Sequence, residues 1–193
     1  DHRPMLGRPL HAPTGLMTPP AAADAFRDRL ARLVADGRPF LCWTSAQKAG
    51  SRNAPQTLSA WHRQLVPDAR VLVIDSTTPE DAARLANSPD GEAERWDAIY
   101  VSPSISSGIS FDQWKPAAVI AYSGGHIPPE DVAQALARVR SPEVPAWVFA
   151  PEACPGNALT LTGASSSTDP AQLIADLRAR LMAGSRHSKW RWP

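Results

Sequence analysis

The sequence predicts an α/β fold, a three-layer sandwich built on a mainly parallel sheet. Three observations predict it: short, wholly apolar runs such as 71–74 and 117–121, stretches of helical periodicity between them, and a steady alternation of the two along the chain. Continuous apolar runs are strands covered on both faces, and the helices between them are the crossovers of right-handed βαβ units.

A length of 193 residues fits one domain. Hydrophobic residues at 43% and charged ones at 20% are ordinary globular proportions, which argues against disorder or a membrane bundle. A spanning helix needs about 20 apolar residues and a signal peptide needs a basic start before an apolar core. Neither pattern occurs, so a cytoplasmic location without a membrane partner is expected. A net charge of +1 gives no global pull on a polyanion, so any nucleic-acid contact has to come from a local cluster. Cys42 and Cys154 allow at most one disulfide, and Cys42, inside an apolar strand pattern, reads as a reduced buried thiol. The scattered histidines form no CxxC or HxxxH spacing, and no metal site is expected.

Pro4, Pro9, Pro13, Pro19 and Pro20 crowd the start, so residues 1–21 are expected to be an extended segment without regular structure. The first residue is Asp, which suggests either processing or a piece cut from a longer polypeptide, the second being the expectation. The folded domain is read as 22–183. Its first helix carries Phe26, Leu30, Leu33 and Val34 on one stripe and stops at Gly37. A strand follows at 40–44, then a helix at 55–65 with Leu58, Trp61 and Leu65 in phase, and a strand at 71–74. Thr78, whose hydroxyl can cap free amides, opens a helix at 79–85. Strands at 98–101 and 117–121, a helix at 129–140 and a strand at 147–149 continue the alternation. A short strand at 159–161 and a helix at 171–182 close it. Trp43, Trp61, Trp96, Trp114 and Trp147 are expected in the core or at a lobe interface. Residues 184–193, with Arg186, Lys189, Trp190, Arg191 and Trp192, form a basic tail that could stack on bases or pack on another domain; disorder is the expectation there.

In open parallel sheets ligands meet the loops that leave the carboxyl ends of strands. Four such loops are polar here: Ser45, Gln47 and Lys48; Asp75, Ser76, Thr77 and Thr78; Ser102, Ser104, Ser106, Ser107 and Gly108; Ser123, Gly124 and Gly125. Small hydroxyl residues and glycines let backbone amides approach phosphate, although they are also the ordinary material of turns. The helix at 129–140 ends on two arginines. Arg138 shares a face with Gln134, four residues earlier, whereas Arg140 is turned about 200° from Arg138, so the two are expected to do different jobs. The helix macrodipole offers a structural reason for both, about 0.3 to 1 kcal/mol each.

The order of segments adds to this reading. SPSISSGISFD at 102–112, followed by a strand and QALARVRS at 134–141, resembles motifs V and VI of superfamily-two helicases. Within them the likeness is to the replication-origin-binding helicases of herpesviruses and related plasmid or phage replication proteins, where a GxSFD segment precedes QxxGRVR. FLCWTSAQK at 40–48 looks like the motif IV region and VLVIDSTTPED at 71–81 like the strand and loop after it. The resemblance covers about 38–151. Two departures stand out: Ala137 occupies a position where motif VI usually has Gly, and Ser110 one where many relatives have an acidic residue.

The resemblance implies the RecA-like C-terminal lobe of an ATP-dependent helicase acting in DNA replication. No GxxxxGK[ST] segment and no acidic magnesium motif occur, so ATP and Mg²⁺ would be shared with an N-terminal RecA-like lobe, and the isolated chain is not expected to be active. It further implies that Arg138 is an arginine finger, that Arg140 assists it or holds the loop, and that Gln134 orients both. Gly108 would permit close approach, with Ser110 and Asp112 near the ATP edge. Thr44, Ser45, Lys48, Thr77, Ser102 and Ser104 would lie along the backbone of single-stranded or duplex DNA, reading no sequence. Two other readings stay open. One is a degenerate lobe kept as a DNA-binding or docking module, which Ala137 permits. The other is a nucleotide-sugar-binding transferase using Ser123, Gly124 and Gly125 with Arg138 on a phosphate. A serine hydrolase fits less well, because Ser107 and Ser123 lack the GxSxG elbow.

Overall fold

The computed structural model of the chain describes residues 8–13, 18–46, 48, 50–103, 109–125, 127 and 129–151. The expected strand at 159–161, helix at 171–182 and tail at 184–193 lie outside the described residues, as do Gln47, Ser104, Gly108 and Cys154. The described residues all belong to one compact unit, Asp1–Cys154.

Six parallel strands form one sheet: β1 (Leu10–His11), β2 (Phe40–Thr44), β3 (Val71–Ile74), β4 (Ala98–Val101), β5 (Ala118–Tyr122) and β6 (Ala146–Phe149), in the order β1-β6-β5-β2-β4-β3. Helices α1 (Pro19–Asp36), α2 (Pro55–Leu65), α3 (Pro79–Asn87), α4 (Pro89–Ala93) and α5 (Pro129–Leu136) connect them. This is the α/β sandwich that the alternation of apolar runs predicts, and it is consistent with a RecA-like lobe.

The register follows from burial. Every residue of β2 is buried, and its side chains alternate: Phe40 and Cys42 face a core with Phe26, Leu30, Leu58, Tyr100 and Ile120, while Leu41 and Trp43 face one with Leu85, Val132, Leu136 and Val139. Helices α1 and α2 supply the first core; α3, α4 and α5 supply the second. Each large apolar side chain so enclosed contributes about 1.5 to 3 kcal/mol. Cys42 is a free, buried thiol whose burial pushes its pKa up, as expected for a reduced core cysteine. His62 of α2 sits in the same layer, 3.1 Å through Nδ1 from the Tyr100 hydroxyl, and burial pulls its pKa down.

Several expectations are corrected. Regular structure begins before residue 21: Leu10 and His11 pair with Ala146 and Trp147 of β6, and α1 starts at Pro19. The prolines allow this because Pro9 needs no donor where its carbonyl accepts from Ala146 N (2.9 Å), and Pro19 and Pro20 occupy the first helical turn, where an N–H has no partner to lose. The Thr18 hydroxyl accepts from Ala21 N, and Gly37, at φ 68°, closes α1 in the left-handed region. Thr78 does not cap α3 with its side chain. Its hydroxyl instead accepts from Asp75 N (2.9 Å) and lies 3.1 Å from Val73 O, folding the turn after β3. α5 stops at Leu136 rather than 140, because the chain beyond it is drawn into a parallel bridge with Phe111. The short α4 carries no apolar periodicity and has no counterpart in the sequence expectations.

The connections divide by face. From β1 through α1 to β2, and from β2 through α2 to β3, the chain crosses one face; from β3 to β4, β5 and β6 it returns over the other. Right-handed crossovers require this division. The loops after β2 and β5, adjacent strands, therefore leave in opposite directions and open a crevice at their carboxyl ends.

Candidate functional site

The expected site residues fall in two places. The first is the crevice above β2 and β5, a cleft of about 520 Å³ lined by Ser45, Lys48, Ser51, Asn53, Tyr122 and Gly124 among others. The hydroxyls of Thr44, Ser45 and Ser123 hold its loops. The Thr44 hydroxyl, fully buried, donates to Asn53 O (2.8 Å) and accepts from Ala46 N (3.2 Å). Ser45 Oγ accepts from Gly124 N (2.8 Å), and Ser45 N donates to Tyr122 O (2.9 Å), so the loop after β2 is fastened to the one after β5. Ser123 Oγ accepts from Gly125 N (3.2 Å). Arg27 of α1 braces the rim through Asn53 Oδ1 (3.1 Å) and Arg52 O (3.4 Å). Lys48 is exposed on this rim and lines the cleft.

Thr77 and Ser102 lie beside the carboxyl ends of neighbouring strands. The exposed Thr77 hydroxyl donates to Asp75 Oδ1 (2.7 Å) and accepts from Gln56 Nε2 (3.0 Å), tying the β3 loop to α2. Ser102 is buried, with its amide donating to Ile74 O (3.0 Å). Ser102 therefore sits at the end of β4 with its backbone paired to the end of β3. Ser104 and Gly108, the other residues expected from that loop, are outside the described residues.

The second place lies on the face covered by α3, α4 and α5. Residues 109–112 run beside 138–140: Phe111 N donates to Arg138 O (2.7 Å) and Arg140 N to Phe111 O (2.8 Å). Phe111 and Val139 are both 1% exposed, so this bridge is anchored in the core, with Trp114 against Phe111 at 5.1 Å between ring centroids. The charged side chains project from it. Arg138 is half-buried and donates through a terminal nitrogen to Ile109 O (2.9 Å); burial pulls its pKa down, yet a guanidinium stays cationic at neutral pH. Arg140 pairs with Asp112 (Nε to Oδ1, 3.2 Å), and the Ser110 hydroxyl donates to the same carboxylate oxygen (3.1 Å). Arg140 and Asp112 are about 60% exposed, so the pair adds little to stability, under about 1 kcal/mol. The two arginines make different contacts: Arg138 reaches a backbone carbonyl, Arg140 an exposed carboxylate. Gln134 is exposed on α5 and makes no hydrogen bond to either arginine among the described residues, so its expected orienting role finds no contact.

Ala137 is also accounted for. No described residue other than glycine has a positive φ, so this position does not need the glycine that motif VI usually carries.

Two residues that sequence reasoning missed hold the bridge. Asp90 of α4 accepts from the amides of Asp112 (3.3 Å), Gln113 (3.1 Å) and Trp114 (2.8 Å), clamping the segment that carries Asp112. α4 is itself fixed by the buried Glu92, which accepts from Arg84 Nε (2.7 Å), Arg95 (3.1 Å) and Trp96 Nε1 (3.2 Å). Burial pushes the Glu92 pKa up, but the hydrogen bonds and charges of Arg84, Trp96 and Arg95 outweigh it and hold the carboxylate ionised. On the other side, the Arg8 guanidinium reaches the carbonyls of Leu136, Val139 and Ser141. PDGE at 89–92 has the acidic composition of a helix start, which could have signalled Asp90; nothing local to Arg8 signals its contact.

Among the described residues no group of three or more His, Cys, Asp or Glu side chains converges as a metal site, and no helix is long and apolar enough to cross a membrane. No protein-family model matches the chain. An alignment 93 residues long, covering 45% of the chain, is 30% identical to an uncharacterized protein of Picosynechococcus sp., and it spans 9% of that protein's length.

Proposed function

We propose that the chain is the C-terminal motor lobe of an ATP-dependent nucleic-acid helicase of the replication type. The observation that supports this reading is the Phe111–Val139 bridge, which joins the GISFD segment to the ARVR segment and gathers Ser110, Asp112, Arg138 and Arg140 on one face. Two motifs 27 residues apart by the numbers of Phe111 and Arg138 thus share backbone hydrogen bonds.

ATP, gripped with Mg²⁺ by an N-terminal lobe, would supply the phosphoryl group. The donor set here fits one side of such a ligand, with two guanidinium groups and no phosphate cradle of its own. Arg138 neutralises the charge that develops on the transferred group, and Arg140, steered by Asp112, holds the arginine turn or adds a second cation. Lys48, on the rim of the cleft, contacts a nucleic-acid phosphate without reading sequence. The transferase reading loses support because the amides of Gly124 and Gly125 already donate to Ser45 and Ser123.

The test is Arg138→Ala in the protein that joins this lobe to its N-terminal partner lobe. Nucleic-acid-stimulated ATP hydrolysis should fall by about 10³-fold or more, with a stability change under about 1 kcal/mol. Full turnover in that variant would leave the degenerate-lobe reading, a DNA-binding or docking module, in its place.

A further inference from the structure

The arginine turn is held from a distance by the chain that enters the sheet. α5 has no basic residue in its last turn, so its free carbonyls and the negative end of its dipole are met by no cation of its own. Arg8 supplies one. Its guanidinium donates to Leu136 O (2.6 Å), Ser141 O (2.9 Å) and Val139 O, bracketing the stretch that carries Arg138 and Arg140. Arg8 is half-buried, and the next residue, Pro9, accepts from Ala146 N as β1 begins, so the guanidinium is fixed by the sheet edge.

We propose that Arg8 is a positioning residue for the arginine turn: by binding the carbonyls of Leu136, Val139 and Ser141 it sets where Arg138 and Arg140 stand relative to Asp112. The inference rests on the motor reading. It adds that the segment leading into the lobe governs the arginines, so a shift of that segment is felt at the catalytic cations. A planar guanidinium suits this task because its donors fork toward several acceptors at once; an ammonium is a point charge that serves fewer.

The experiment measures steady-state ATP hydrolysis, with saturating single-stranded DNA, by the two-lobe protein as wild type, Arg8→Ala, Arg8→Lys and Arg138→Ala. Misplacing a catalytic group costs on the order of 10- to 100-fold. Arg8→Ala should therefore lower kcat by that factor with KM for ATP within about twofold. Arg8→Lys should fall between, and added methylguanidinium should restore part of the Arg8→Ala turnover. Wild-type kcat in Arg8→Ala, or in Arg8→Lys should the alanine variant not fold, overturns the proposal while leaving the motor reading intact if Arg138→Ala is inactive. An Arg138→Ala protein with wild-type turnover sinks the motor reading itself.

Discussion

The carboxyl-edge cleft and the Phe111–Val139 bridge are both built from short polar loops, yet they use their polar groups in opposite ways. At the cleft, the hydroxyls of Thr44, Ser45 and Ser123 bond to neighbouring backbone, and Lys48 is exposed at the rim. At the bridge, backbone pairs with backbone and apolar rings fill the core, which leaves the charged side chains of Asp112 and Arg140 free to face solvent. Polar residues that complete a fold and those whose charge stays exposed look alike in composition. They differ in what their hydrogen bonds already satisfy.

The comparison can be broken most forcefully at Phe111. Phe111→Ala removes a ring that is 1% exposed and should destabilise the unit by about 3 to 5 kcal/mol in urea unfolding. A loss under about 1 kcal/mol would mean that the bridge is not anchored by packing. Next comes Thr44→Val, which keeps shape but removes the donor to Asn53 O and the acceptor for Ala46 N. The expected cost is about 1 to 3 kcal/mol, with the midpoint of thermal unfolding as the readout. An unchanged midpoint would show that the Thr44 hydroxyl is available for another role. The smallest effect belongs to Lys48→Ala. Stability should hold within about 0.5 kcal/mol, while single-stranded DNA binding weakens and its logarithmic salt slope shrinks by about 0.7. An unaltered slope would take the cleft out of the nucleic-acid track.

The strands were legible because burial on both faces leaves a mark that needs no partner: FLCWT and AVIAY can hardly be anything but interior strands of a parallel sheet. Helical spacing set Arg138 and Arg140 about 200° apart in the expectation, but α5 does not reach them. The real separation comes from a different source, the bridge that ends α5 two residues before Arg138. The burial of Ser102 was not legible, because a buried serine and an exposed one are the same letter. Arg8 and Asp90 were invisible for a plainer reason. Arg8 lies 128 residues from Leu136, and Asp90 24 residues from Trp114, so no local pattern could pair them.

The two-residue strand β1 settles where this module could be excised or grafted. A fragment begun at Ala22, the boundary that composition suggests, would strip β6 of its outer neighbour and bare a row of unsatisfied amides and carbonyls. Such a border recruits other chains, and self-association would be mistaken for a native oligomer. A usable cut has to fall upstream of Arg8.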